Sequence, residues 1–198
     1  MFCDAASAVT DIGFADTSCG TMPCPGCPLQ AGSLPTDLSA RELDTVAAMI
    51  GIVCNVHRGE SVYRSGDRFH SIYTVKCSLF KTVMMLADGR EQVTGFHIVG
   101  EPLGLDGVFG GSYTCDAIAL EDSTLCILPF QALESLCYEV QAMQRHVHKL
   151  MSGEIIRESG LMTMLGMMTA QERVTVFLVN LSKGLAVRGY SAMNFICE

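Results

Sequence analysis

Along the chain the spacing of apolar positions changes from irregular to alternating and then to helical. Residues 1–35 show no period and hold Gly, Pro, Ser and three closely spaced cysteines, so an irregular cysteine-rich arm is expected. Ser39-Ala40-Arg41-Glu42 has the form of a capping box, in which a hydroxyl and a carboxylate satisfy each other's backbone N–H. Leu43, Val46, Ala47 and Ile50 follow at helical spacing, which predicts a short helix up to Gly51.

From 52 to 128 short runs rich in Val, Ile, Tyr, Phe and Thr alternate with Gly and Asp turns, as in Ser71-Ile72-Tyr73-Thr74-Val75 and Thr82-Val83-Met84-Met85. Asp88-Gly89 between two such runs is a hairpin signal. Many short strands separated by turns predict a β-sandwich or jelly roll.

From Pro129 the period is helical again, and residues 138–168 contain no Pro. Val147, Met151, Ile155, Glu158, Met162 and Leu165 step by three or four and share one face. A helix of about 45 Å, at 1.5 Å per residue, outreaches a small β-barrel. Its apolar stripe needs a cover, either the matching helix of a homodimer or the chain's own barrel. Thr169-Ala170-Gln171-Glu172 is a second capping box, opening a helix through Val174, Phe177, Leu178 and Leu181 towards Gly189. The fold class is therefore α+β.

Composition narrows the function. The hydrophobic fraction is 49% and the charged fraction 17%, too apolar for a disordered acidic protein. The net charge of -8 gives no bulk attraction for nucleic acid. No apolar run approaches the ~20 residues of a membrane span. The N-terminus has no secretory pattern, so a cytoplasmic protein is expected, in which ten cysteines are not structural disulfides.

Cys19, Cys24 and Cys27 have the spacing C-x4-C-x2-C. Two residues between cysteines let both sulfurs face one metal, and thiolates suit zinc or iron–sulfur centres. No second close pair completes a zinc site, so metal binding and free thiols both stay open on spacing alone. Cys54, Cys77, Cys115 and Cys126 lie in or beside expected strands and default to small core residues, and Cys137 to packing at a helix start. The five histidines, His57, His70, His97, His146 and His148, lack the HxH pair of a cupin-type metal site. No GxSxG, P-loop or GxGxxG motif occurs, so an enzyme is not expected.

Glu91-Gln92-Val93-Thr94-Gly95-Phe96-His97 resembles the EQ(I/V)TGFH signature of the fumarate-and-nitrate-reduction (Fnr) regulators, a branch of the Crp/Fnr superfamily. Leu150-Met151-Ser152-Gly153-Glu154-Ile155 is similar to that family's dimer helix. Glu172-Arg173, Phe177, Asn180-Leu181-Ser182 and Gly189 resemble the helix after it, and Arg41-Glu42-Leu43-Asp44 and Leu125-Cys126-Ile127-Leu128-Pro129-Phe130 also fit. The resemblance covers residues 19–195 in order.

The resemblance implies an oxygen sensor of four parts. These are an N-terminal arm (1–35), a cyclic-nucleotide-binding-like β-roll sensor domain (36–137), a dimerisation helix (138–168) and the start of a helix-turn-helix domain (169–198). It implies a [4Fe–4S] cluster, with Cys24 and Cys27 on the family's C-x2-C ligands and Cys126 on the distant roll ligand. The family's remaining arm ligand falls on Ser33, and a serine oxygen matches soft iron poorly. Cys19 is the preferred substitute, or else a bystander. The implied set is Cys19, Cys24, Cys27 and Cys126; the alternatives are a zinc or thiol redox sensor and a degenerate paralogue with no metal.

Glu158 interrupts the helix stripe, and the family places an acidic residue there to make dimerisation conditional on the cluster; the bland reading is an exposed Glu on a slightly rotated helix. Crp-type receptors hold the cyclic phosphate with an Arg-Ser pair, which here reads Tyr113-Thr114, and no Lys or Arg occurs between Arg90 and Arg145. Cyclic AMP is therefore not an expected ligand. Promoter DNA and RNA polymerase are the partners implied for a full-length member. No recognition helix can be located before Glu198, so a fragment or truncated paralogue without specific DNA binding is expected.

Overall fold

The computed structural model describes residues 35, 38, 39, 41, 42, 45, 46 and 52–187. Eight strands follow one another: β1 (Ile52–Val56), β2 (Ser61–Tyr63), β3 (Ser71–Cys77), β4 (Phe80–Met85), β5 (Glu91–His97), β6 (Pro102–Leu103), β7 (Asp116–Ala119) and β8 (Ser123–Pro129). A single helical turn, α1 (Gly107–Gly110), lies between β6 and β7, and three helices follow β8 among the described residues: α2 (Phe130–Glu139), α3 (Gln141–Met167) and α4 (Ala170–Val187).

The strands form two four-stranded sheets, in the orders β1-β8-β3-β6 and β2-β7-β4-β5. Every pairing is antiparallel. This is the expected jelly roll. Its interior is filled by Val56, Tyr63, Tyr73, Val75, Phe80, Leu103, Tyr113, Cys115, Ala117, Ala119 and Leu125, with Cys54, Val62, Phe69 and Ile127 packed against them. Strand alternation explains the set: Leu125 and Ile127 of β8 point inward, and their neighbours point to the other face.

The local signals hold where they can be seen. Ser39 and Glu42 close their capping box, with Glu42 Oε2 accepting from Ser39 N–H at 2.7 Å and Glu42 N–H donating to Ser39 Oγ at 3.4 Å. Four residues on, Val46 is fully buried. Leu43, Ala47 and Ile50, and the helix end at Gly51, lie outside the described residues. Gly89 takes a φ of +84° in the β4–β5 hairpin, a value glycine accepts without strain. Asp88 braces the same turn by accepting from Arg90 N–H at 3.1 Å.

The helical part differs from expectation at its start. The Pro-free stretch from 138 is not one helix: Val140 is extended (φ −119°, ψ 99°) and separates α2 from α3. The α2 helix packs against β8. Cys137 accordingly lies near the end of α2, half-buried, and not at a helix start. Cys77 is also corrected: it is exposed at the end of β3, where Ser78 turns the chain with a φ of +71°.

The chain divides into two compact units between Gln144 and Arg145. In the second, Thr169 and Glu172 form the expected box, with Glu172 Oε2 accepting from Thr169 N–H at 2.8 Å. These bonds hold the Glu172 carboxyl below the usual carboxylate range. Arg173 closes the other side of the junction. Its guanidinium donates to the carbonyls of Met168 (3.0 Å) and Leu165 (3.3 Å), acceptors that the end of α3 leaves without helical partners.

Candidate functional site

Cys126 sits at the centre of the first sheet, paired with Val53 of β1 on one side and Thr74 of β3 on the other. Its neighbours Leu125 and Ile127 belong to the interior, so the Cys126 thiol is on the opposite, outer face of the sheet. It is nonetheless buried, at 4% exposure, which corrects the default of an ordinary interior cysteine in side but not in burial. The outer face around it carries Thr74, Thr124, Asn55 and Val53. Thr124 Oγ1 donates to Asn55 Oδ1 at 3.1 Å, and Val53 is 41% exposed.

Cys115 has the opposite setting. It belongs to the interior and its thiol donates to Asp106 Oδ2 at 3.5 Å. Burial, reinforced by the Asp106 charge, pushes this thiol up to about 12. At neutral pH this favours the protonated thiol over the thiolate. Burial likewise raises the Cys137 thiol. Cys54, Cys77, Cys115, Cys126 and Cys137 are all outside disulfides.

Cys19, Cys24, Cys27 and Ser33 lie outside the described residues. Among the described residues, no three of His, Cys, Asp and Glu come together to hold a metal. The histidines follow the same line: His97 is buried beside Thr82 Oγ1 (3.3 Å), and His57 is an exposed partner of Asp122 (3.4 Å).

Between the sheets, the chamber is filled with rings. Tyr63 stacks on Tyr113 at 3.9 Å and on Tyr73 at 5.7 Å, and Phe69 meets Tyr113 edge-on at 5.4 Å. Gly104, with a φ of +87°, lets the backbone pass this stack: a Cβ there would lie 3.0 Å from Tyr113 Cε1 and 3.2 Å from Ser71 O. Tyr113 donates its hydroxyl hydrogen to Ser71 O at 2.7 Å. Burial raises both the Tyr63 and the Tyr113 hydroxyls. The two residues at the Arg-Ser position are thus committed: Tyr113 to the stack, and Thr114 to Asp106 through its N–H (2.6 Å) and its hydroxyl (2.9 Å). Asp106 escaped the sequence reading; its only signal was an acid inside a Gly-rich stretch with no Lys or Arg nearby.

On α3, Ile155 (65%), Met162 (69%) and Leu165 (41%) are exposed apolar side chains. Glu158 is exposed among them, and Val147 and Met151 are half-buried. Glu154 and Arg157 form an ion pair on the same helix. Among the described residues, no helix is long and apolar enough to cross a membrane.

Residues 53–140 match the cyclic nucleotide-binding domain family. The chain is 36% identical over 172 residues to the transcriptional activator protein Anr of Pseudomonas aeruginosa, covering 87% of this chain and 70% of that protein. It is 31% identical to the fumarate and nitrate reduction regulatory protein of Escherichia coli, covering 87% and 69%. The solved structure of FixK2 from Bradyrhizobium japonicum is similar with a TM-score of 0.64 and 26% identity, over 68% of this chain and 67% of that one. The first of these is named for transcriptional activation and the second for regulation. The chain belongs to the Fnr-type regulators of the Crp/Fnr superfamily.

Proposed function

We propose that this chain is the sensor and dimerisation part of a cytoplasmic transcription regulator that responds to oxygen and controls promoter binding through dimerisation. The observation that carries the reading is the sidedness of Cys126: a buried thiol at the centre of a sheet, facing away from the filled interior. A donor on that face lies outside the filled interior, which is the side from which arm thiolates would have to reach it.

A [4Fe–4S] cluster, when bound, supplies the oxygen-reactive group, and the donor chemistry fits it. Cys19, Cys24 and Cys27 would give three thiolates and Cys126 the fourth, anchored on the rigid centre of β8. The exposed Ile155, Met162 and Leu165 of α3, with Val147 and Met151, would meet the same residues of a second copy. Two Glu158 carboxylates brought together there repel, which makes the dimer depend on compensation from the liganded arm. Promoter DNA and RNA polymerase would be partners of the whole regulator. Cyclic AMP would not be, because Tyr113 and Thr114 are already engaged and the chamber is filled.

One specific feature favours a second reading. Ser33 stands where the family has a cysteine, so a zinc or thiol sensor, or a paralogue without a cluster, competes with the first. Anoxic purification with iron, sulfide and zinc analysis separates them. Matched iron and sulfide in brown protein supports the oxygen sensor. Colourless zinc protein supports the alternative, and metal-free protein that resists reconstitution supports the paralogue.

A further inference from the structure

The segment between β6 and β7 leaves the roll at Gly104 and returns at Thr114, carrying α1 and the fully exposed Phe109 at its tip. A single carboxylate oxygen closes its base. Asp106 Oδ2 accepts from Thr114 N–H at 2.6 Å, from the Thr114 hydroxyl at 2.9 Å and from the Cys115 thiol at 3.5 Å. Three donors of different chemistry converging on one oxygen make an anion site. The anion comes from the protein itself.

The surroundings favour a resident anion over an external one. Tyr113, next to the donors, is locked by the Tyr63 stack and by Ser71 O, so the inner wall is fixed. The neighbouring loop is braced by two further carboxylates: Asp116 Oδ1 accepts from Ser65 N–H at 2.7 Å and Asp67 Oδ2 from Arg64 N–H at 2.9 Å. No Lys or Arg occurs from 91 to 144, and the neighbouring loop brings Arg68 into a bridge with Ser112. The matched family model describes a cyclic nucleotide-binding domain, whose ligand is an anion.

We propose that Asp106 is a built-in anionic ligand, whose carboxylate fills the Thr114 and Cys115 donors and keeps the β6–β7 segment closed without any small molecule. The segment is then held by the chain's own carboxylate, and its state does not answer to a soluble anion. This inference concerns the β6–β7 segment and is independent of any cluster at Cys126.

The experiment is chemical rescue on the full chain. Asp106→Ala removes the anion and leaves the donors. Its melting temperature should fall by about 5 °C in chloride buffer, the scale expected for losing charge-assisted bonds. Sodium formate or acetate should restore part of that loss in a saturable way, at constant ionic strength, while leaving the parent chain unmoved. An unchanged melting temperature, or a loss that formate does not relieve, would overturn the proposal. Should the alanine variant not fold, Asp106→Asn keeps the shape and removes the charge. Hydrogen exchange at the Thr114 amide should then quicken about tenfold over the parent, and an unchanged rate would equally overturn it.

Discussion

Cys126 pairs with Thr74 across β3 and β8, while the next residue, Leu125, pairs with Val75 in the interior. One residue of register separates a thiol that faces outward from a side chain that fills the core. The two cysteines nearest this boundary consequently have different chemistry. In the proposed function Cys126 would serve a centre on the outer face, whereas Cys115 is tied to Asp106.

Alkaline pH should expose the Cys115 setting. Its pKa is raised from 9.0 to about 12 by burial and by Asp106. The unfolded chain gives up this proton first, so folded stability is complete below pH 9 and falls as pH rises through that window. Tyr63 and Tyr113, also raised by burial, act in the same direction. Thermal melts between pH 8 and 11 should show a decline that Cys115→Ala makes shallower. A maleimide at pH 7 should label exposed Cys77 and spare Cys115; prompt labelling of Cys115 in folded protein would count against its protonated, buried state.

The α3 face predicts opposite responses from adjacent positions. In cluster-free protein Glu158→Ala should tighten the dimer by about tenfold, equivalent to roughly 1.4 kcal/mol. Ile155→Glu should weaken it by at least as much in any state, because it adds a charge beside Glu158 on the apolar stripe. Sedimentation equilibrium reads both, and a Glu158→Ala variant that stays as monomeric as the parent would remove the carboxylate from the switch.

Gly104→Ala tests the filled chamber. The new Cβ meets the Tyr113 ring and the Ser71 carbonyl, and the backbone must hold a φ of +87°. A loss of about 1–3 kcal/mol in urea unfolding is expected, with metal content unchanged because Gly104 does not share the outer face with Cys126.

Much of this architecture could be seen in the residues, for physical reasons that differ from part to part. The capping boxes at Ser39–Glu42 and Thr169–Glu172 and the turn at Gly89 are local chemistry, and local chemistry is written in adjacent residues. The break at Val140 is not of that kind. Valine carries no stop signal, and the break shows only in its extended backbone, beside a helix that packs on β8. The sidedness of Cys126 was hidden as well, because it stands in the apolar run Leu125-Cys126-Ile127-Leu128 and only strand register sets which of these faces the interior. Cys126 entered the ligand set through resemblance to a family, not through spacing. The Asp106 clasp joins residues eight apart across a loop, beyond the reach of any turn rule.

The most direct test of the account compares Cys126→Ala with Cys115→Ala after anoxic purification. Both remove one buried sulfur, so the cost in stability should be similar, about 1–2 kcal/mol. Circular dichroism should report folded protein in each case. Iron and sulfide should fall to background in Cys126→Ala and stay at the parent level in Cys115→Ala, with the brown colour following the iron. Parent-level iron in a folded Cys126→Ala protein would contradict the central claim that the outward thiol of β8 anchors the sensing centre.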